Sequence, residues 1–224
     1  MEEEFKALKE KILRLTNCIE YADETINFWQ RFLDKEVAHC FLDEVFQHEI
    51  KNSGPDEAYI PRRMINSVLR LVTIAEVLEE TKQGYDAIKV FLFVTCIENL
   101  WRLNKQKPEK KVLKFFCENI NSNDKKYLEE HIEVTSYDDD LYSCKQYDTI
   151  TKLAEVFYEI RNLAAHEGNY YGSYFCKDTP YIFTVEIKQS TMCINTELTL
   201  TQFSEIFVRA CFNFIQKYIN DCSI

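Results

Sequence analysis

The chain has 224 residues, 46% of them hydrophobic, with 16 Phe and 13 Tyr, which is enough apolar material for a well-cored domain that does not need disulfides. Four Gly and four Pro leave little for the turns of a β-sandwich or the glycine loops of a nucleotide-binding sheet, so helices are favoured. A formal charge of −10 excludes non-specific polyanion binding over the whole surface but leaves room for a local cationic site.

Phe5, Leu8, Ile12, Leu15 and Ile19 recur at three and four residues and predict an amphipathic helix over 3–20. A second helix is expected from Asp23 or Thr25 to His48, with Phe28, Phe32, Ala38, Phe41, Leu42, Val45 and Phe46 as a broad aromatic face. His39 and His48 lie in or beside that face without a matched ligand spacing and read as structural or surface histidines. KNSGPDEAYIP, 51–61, breaks the pattern as an inter-domain hinge or a longish loop between helices. Pro61 opens a third helix through Ile65, Val68, Leu69, Val72, Ile74, Ala75 and Leu78, and Gly84 separates it from a fourth. This fourth helix, 85–103, is apolar on nearly every side and is expected to be central. Glu98 is the one acid in its densest part and calls for a partner, because an unpaired buried charge is costly.

Pro108 opens a short helix through Val112, Leu113, Phe115 and Phe116. Ser122 or Asn123 is expected to cap another over 124–133, with His131 exposed on it, and VTSYDDDLYSCKQYD reads as loop. Ile150, Leu153, Phe157, Ile160 and Ala164 then line one face of a core helix, 149–168, which Gly168 is placed to end with positive φ. NYYGSYF is a turn, YIFTVEIK and MCINTELTL form a hairpin near 181–198, and Thr201 starts a last helix with Phe203, Ile206, Phe207, Ala210, Phe214 and Tyr218 on its face. The expected fold is mainly α: one domain, 1–224, a compact helical bundle with a small late β-hairpin.

No apolar run reaches the length of a membrane span, and MEEEFKALKEK is acidic helix material rather than a signal peptide, so a cytoplasmic protein without a membrane partner is expected. The nine cysteines never form C-x-x-C, and most sit beside Phe, Leu or Ile, which reads as buried thiols in a reducing compartment. There is no phosphate-binding glycine loop, H-E-x-x-H, nucleophile elbow or calcium loop. Charge is segregated: Arg102, Lys105, Lys107, Lys110, Lys111 and Lys114 stand against one acid, Glu109, whereas 124–148 is acid-rich and includes Asp138, Asp139 and Asp140. The basic run is either a solvated helix start and loop or a nucleic-acid footprint.

Chemistry concentrates at the end of the 149–168 helix, in Arg161, Asn162 and His166. An arginine holds a phosphodiester with paired donors and stabilises charge on its non-bridging oxygens. A histidine titrates near working pH and suits proton transfer from a ribose 2′-hydroxyl or to a departing 5′-oxygen. Asn162 offers a donor and an acceptor, Glu98 is placed to orient Arg161 or His166 from behind, and the set requires neither metal nor cofactor. In an uninterrupted helix five residues turn through about 500°, which leaves Arg161 and His166 roughly 140° apart. They converge only if the helix ends or changes pitch just after Ala165, or if a second copy of the chain supplies part of the site. The structural alternative is that Arg161 pairs with Glu98 or Glu159 while Asn162 and His166 cap carbonyls.

The string EIRNLAAHEG resembles the HEPN superfamily, whose members carry an Arg and a His four to six residues apart, often with Asn directly after the Arg, near the end of a core helix in a helical bundle. The motif covers Arg161, Asn162 and His166. The resemblance implies a metal-independent endoribonuclease that cleaves RNA by 2′-hydroxyl transesterification, as in toxin–antitoxin, phage-defence and CRISPR-associated systems. It also implies a homodimer whose two motifs share one composite site, with an antitoxin or other regulatory protein as a partner. The superfamily has non-catalytic members too, so the alternative is a catalytically silent protein-interaction or RNA-binding module. Some nucleotidyltransferase-linked HEPN toxins resemble R-x4-H-x-Y; here Gly168 holds the second position after His166, and Tyr170 and Tyr171 come later, a departure from that subgroup.

Overall fold

A computed structural model describes residues 2–52, 57–81, 86–137, 144–146, 148–168, 175–176, 180–187 and 190–222. The expectations that rest on Gly84 and Tyr85, on Asp138, Asp139 and Asp140, on 53–56 of the 51–61 loop and on the turn over 169–174 lie outside the described residues. Contacts gather the chain into two compact units, 1–70 with 211–224, and 71–210. The architecture is mainly helical with one small antiparallel sheet.

The first unit holds α1 (Glu2–Thr16), α2 (Ile19–Phe32), α3 (Lys35–Lys51), the start of α4 (Ile60–Thr81) and the end of α9 (Leu200–Asp221). The helix read over 3–20 stops four residues early. Asn17 takes the left-handed conformation with φ 51, which asparagine tolerates at a helix end, and Ile19 is left exposed at the start of α2. The helix read to His48 from Asp23 or Thr25 is likewise two helices. Leu33 is extended with φ −124 and ψ 153, and Asp34, a residue type suited to an N-cap, precedes α3. The interruption is legible in the six-residue step from Phe32 to Ala38, which fits neither three nor four. Trp29 packs edge-on against Phe41 at 4.8 Å, and Phe41 against Phe212 at 5.0 Å. His48 is buried with its ring nitrogen 3.4 Å from the Ala58 carbonyl, and His39 meets the ring of Phe5, so both are structural.

The second unit is built on α5 (Asp86–Leu103), whose residues from Asp86 to Trp101 are all buried or half-buried, as its all-round apolar sequence requires. Packed with it are the end of α4, α6 (Lys111–Asn119), α7 (Ser122–His131), α8 (Thr149–Asn162) and the start of α9. An aromatic core joins them: Phe93 to Phe203 and Phe207 at 5.1 and 4.8 Å, Phe157 to Phe203 at 5.0 Å, and Phe116 to Phe157 at 5.9 Å. Asn121, one residue before the expected caps, accepts the Asp124 N–H at the start of α7, and Thr199 and Gln202 form a reciprocal capping box on α9.

The late hairpin is present as β3 (Tyr181–Ile187) and β4 (Ser190–Thr196), but it is part of a four-stranded sheet with β1 (Ile132–Tyr137) and β2 (Cys144–Gln146), in the order β2-β1-β4-β3. The segment read as loop therefore supplies two strands. Ile132 and Val134 alternate with Glu133 and Thr135 in a β-branched pattern, and the register aligns Val134 with Ile194 and Phe183 on the inner face. The acidic turn composition that follows masked this signal. His131 is half-buried rather than exposed, stacked on Tyr127 at 4.0 Å, because it ends α7 where the chain enters the sheet. The expectation of mostly buried thiols also fails. Of the cysteines whose side chains are described, Cys96 and Cys211 are buried, while Cys40, Cys117 and Cys222 are exposed. Cys40 and Cys117 adjoin buried Phe41 and Phe116, but neighbours on a helix point about 100° apart, so adjacency to an apolar residue does not bury a thiol. Among the described residues no helix is long and apolar enough to cross a membrane.

Candidate active site at the end of α8

Asp148 caps α8 by accepting the Ile150 N–H at 3.2 Å and the Thr151 hydroxyl at 2.6 Å. The face expected from the sequence is the buried one: Ile150, Leu153, Phe157, Ile160 and Ala164 are each 5% exposed or less. That burial fixes the rotation of the helix and so the placing of the polar residues at its end. After Asn162 the pitch changes. Leu163–Glu167 forms a π turn, and Gly168, at φ 64 and ψ 19, closes it by donating its N–H to the Leu163 carbonyl five residues back. A π turn is wider than an α turn, so each residue rotates the chain less and positions five apart are brought nearer to one side. The change expected just after Ala165 begins two residues earlier, at Leu163.

Arg161 is fixed by two neighbours, one of them held in turn by a third. Its Nη2 donates to Glu98 Oε2 of α5 at 2.9 Å, and its Nη1 donates to Asn162 Oδ1 at 3.2 Å. Asn162 Nδ2 donates in turn to Glu159 Oε2 at 3.4 Å. Both partners of the ion pair are largely covered, with 23% of each side chain exposed. The Arg161 Nε–H is buried with no acceptor among the described residues. Since a guanidinium has five N–H groups, one on each terminal nitrogen is left over from these bonds. His166 is exposed on the π turn, and the bonded group of Glu98, Arg161, Asn162 and Glu159 does not include it among the described residues. The structure thus joins Arg161, Asn162 and Glu98 directly, and places His166 on the adjoining turn.

The basic run follows α5 without a break. Arg102 is the exposed residue of the last turn, its Nη2 donating to Asn99 Oδ1 at 3.1 Å. The Gln106 N–H bonds back to the Trp101 carbonyl and the Lys105 N–H to the Arg102 carbonyl, a Schellman end in which Lys105 takes the left-handed position, φ 57, usually held by glycine. Lys105, Lys107 and Lys110 are exposed. Trp101 Nε1 donates to the Lys111 carbonyl at 3.0 Å and holds the far side of the loop. Lys114 differs: its ammonium lies 5.3 Å over the Trp101 ring and 3.8 Å from Glu118, so it is partly used within the fold.

Sequence reasoning missed a buried ionic group at the other end of α5. Lys89 is fully buried on α5 between Asp86 and Glu79, and Asp86 also accepts the Phe175 N–H at 2.8 Å. The signal was a lysine inside the apolar string AIKVF, with an aspartate three residues before it. Among the described residues no group of three or more His, Cys, Asp or Glu could hold a metal ion. Compared with known proteins, the chain matches no family model, no curated protein and no solved structure.

Proposed function

We propose that the chain is a metal-independent endoribonuclease of the HEPN type. The observation that carries this is the π turn: it begins at Leu163, two residues after an arginine anchored by a carboxylate, and its wider pitch leaves a smaller angle between that arginine and the histidine five residues on than an α-helix would. Arg161 holds the scissile phosphate through its remaining N–H groups and stabilises charge on the non-bridging oxygens, while Glu98 and Asn162 keep the guanidinium in place. His166 takes the proton of the 2′-hydroxyl as the 2′-oxygen bonds to phosphorus. The bond from phosphorus to the 5′-oxygen breaks, and that oxygen receives a proton from the protonated His166 of a second copy. The products are a 2′,3′-cyclic phosphate and a 5′-hydroxyl. A homodimer supplies the second histidine, and such an activity fits a cytoplasmic toxin–antitoxin or anti-phage role with a regulatory protein as partner.

The Glu98–Arg161 pair is also the observation that favours the alternative, a catalytically silent interaction module in which the arginine serves only the packing of α5 against α8. The two are separated by incubating the purified protein with mixed RNA in chelator and identifying the product ends. Cyclic phosphate termini support the nuclease. Intact RNA across varied substrates, together with a specific protein complex, supports the module.

A further inference from the structure

We infer that the β3 edge of the sheet is where a second copy of the chain joins, with β3 lying antiparallel to β3 of that copy about a two-fold axis at Thr184. The inference goes beyond the nuclease and does not rest on it, since edge pairing by itself fixes no distance between two α8 ends. In the order β2-β1-β4-β3 the sheet has two edges. β2 is three residues long, a short edge that offers little to pair with. β3 has seven residues, longer than an average strand. Its register with β4 runs from Tyr181–Thr196 to Ile187–Ser190 without a bulge, it holds no proline or lysine, and Glu186 is its one charge. Most of the devices that blunt an exposed edge are therefore missing from β3, and among the described residues no strand pairs with its outer side. Every second residue of an antiparallel edge strand turns its N–H and C=O away from the sheet, so β3 presents a row of donors and acceptors to a further strand.

The order of side chains along β3 selects a second copy as the occupant. Antiparallel pairing of YIFTVEI with itself about its central residue uses all seven positions. On the inner face, where Val185 is buried, it sets Phe183 opposite Val185 of the second copy, an aromatic ring against a β-branched side chain, and the two-fold repeats the pair. On the outer face Thr184 meets itself, a favoured hydroxyl pair, and Glu186 falls opposite Ile182 rather than opposite another Glu186. Ile182, 64% exposed in the single chain, gains a neighbour there. An axis moved toward the end of β3 shortens the ladder and, at Glu186, sets two like charges together. The pairing is isologous, so it closes at two copies and does not run on into a filament. A contact of one strand from each copy is at the small end for a specific interface, so the dimer dissociates on dilution.

Thr184 is exposed, and a substitution at the axis meets its own copy, which makes it the place to test. Sedimentation of wild type over a dilution series should show monomers and dimers in exchange. Thr184→Lys and Thr184→Glu each set two like charges opposite one another and should weaken dimerisation roughly tenfold or more at low salt, with thermal unfolding unchanged. Mixed in equal amounts, the two variants should recover dimerisation, because only the mixed dimer pairs a lysine with a glutamate. Wild type that stays monomeric at every concentration, either variant dimerising as wild type does, or a mixture no better than its parts overturns the inference. The nuclease is read separately, from RNA cleavage. If Thr184→Lys is monomeric and cleaves at the wild-type rate, the strand pairing stands and the shared site falls. If the mixture recovers dimers but wild type never cleaves, the strand pairing stands and the nuclease falls.

Discussion

At the scale of single residues, the site depends on how each charge is held. Glu98 and Asn162 use two of the Arg161 donors and fix the rest, which is what the proposed phosphate contact asks of it, and Glu98 was legible as a carboxylate that needed a partner inside an apolar helix. The sequence narrowed its partner to Arg161 or His166, and the structure selects Arg161, 63 positions away. Lys105 gives a test of backbone strain. Lys105→Gly should raise the stability of the fold by about 1 kcal/mol, read from denaturant unfolding, because the left-handed position then carries no Cβ. A loss of stability would mean that the lysine side chain supports the turn. Glu49, buried beside Arg62 at 3.2 Å, has its carboxyl pushed above the usual range by burial, with Arg62 only partly opposing. A raised folded-state pKa favours folding fully below the unfolded value, and that contribution is lost as pH rises through the folded value. The stability of Glu49→Gln relative to wild type should therefore increase between about pH 4 and pH 7. A difference that shrinks over that window would show that the ion pair to Arg62 outweighs burial.

At the scale of elements, the π turn decides whether the motif can act. The α8 face was legible because Ile150, Leu153, Phe157, Ile160 and Ala164 repeat at helical spacing, and the stop was legible in Gly168. The need for a change of pitch followed from the five-residue spacing, but its start at Leu163 did not, since Leu-Ala-Ala-His suits an α-helix as well. Deleting Ala165, which is exposed, removes one residue from the turn without removing core, and should return the segment to α pitch. The histidine then stands four residues after Arg161, about 40° from it at α pitch, so an unchanged helical circular dichroism spectrum and persisting RNA cleavage are expected, because the shorter spacing does what the wider turn does. A fall in cleavage of about 10²-fold, the usual cost of misplacing a catalytic group by about an ångström, would show that a shared side is not enough and that the wider turn itself is needed. The strands β1 and β2 were the element missed, because a short β-branched alternation was followed by a polar, acidic stretch that outweighed it in composition. Of the two breaks among the first three helices, the first was placed too late and the second was missed, for a related reason. Asn17 and Asp34 interrupt the backbone through conformation, and neither needs the glycine or proline that marks most breaks.

At the scale of the whole molecule, acid–base chemistry at both ends of the broken bond asks for two histidines, and one chain offers one at this site. The protein should sediment as a homodimer at concentrations where it cleaves RNA, and mixing wild type with inactive His166→Ala should lower activity below the wild-type fraction, since a mixed dimer holds one histidine where a shared site needs two. Monomer throughout the active range would remove the composite site. The central claim, that Arg161 and His166 carry metal-independent cleavage, is tested most directly by comparing wild type, Arg161→Ala and His166→Ala on one end-labelled RNA in chelator. The account predicts cyclic phosphate ends from wild type, a loss of about 10²–10⁴-fold in rate with His166→Ala, and a comparable loss with Arg161→Ala, with all three proteins equally folded. Equal cleavage by wild type and both variants would contradict it.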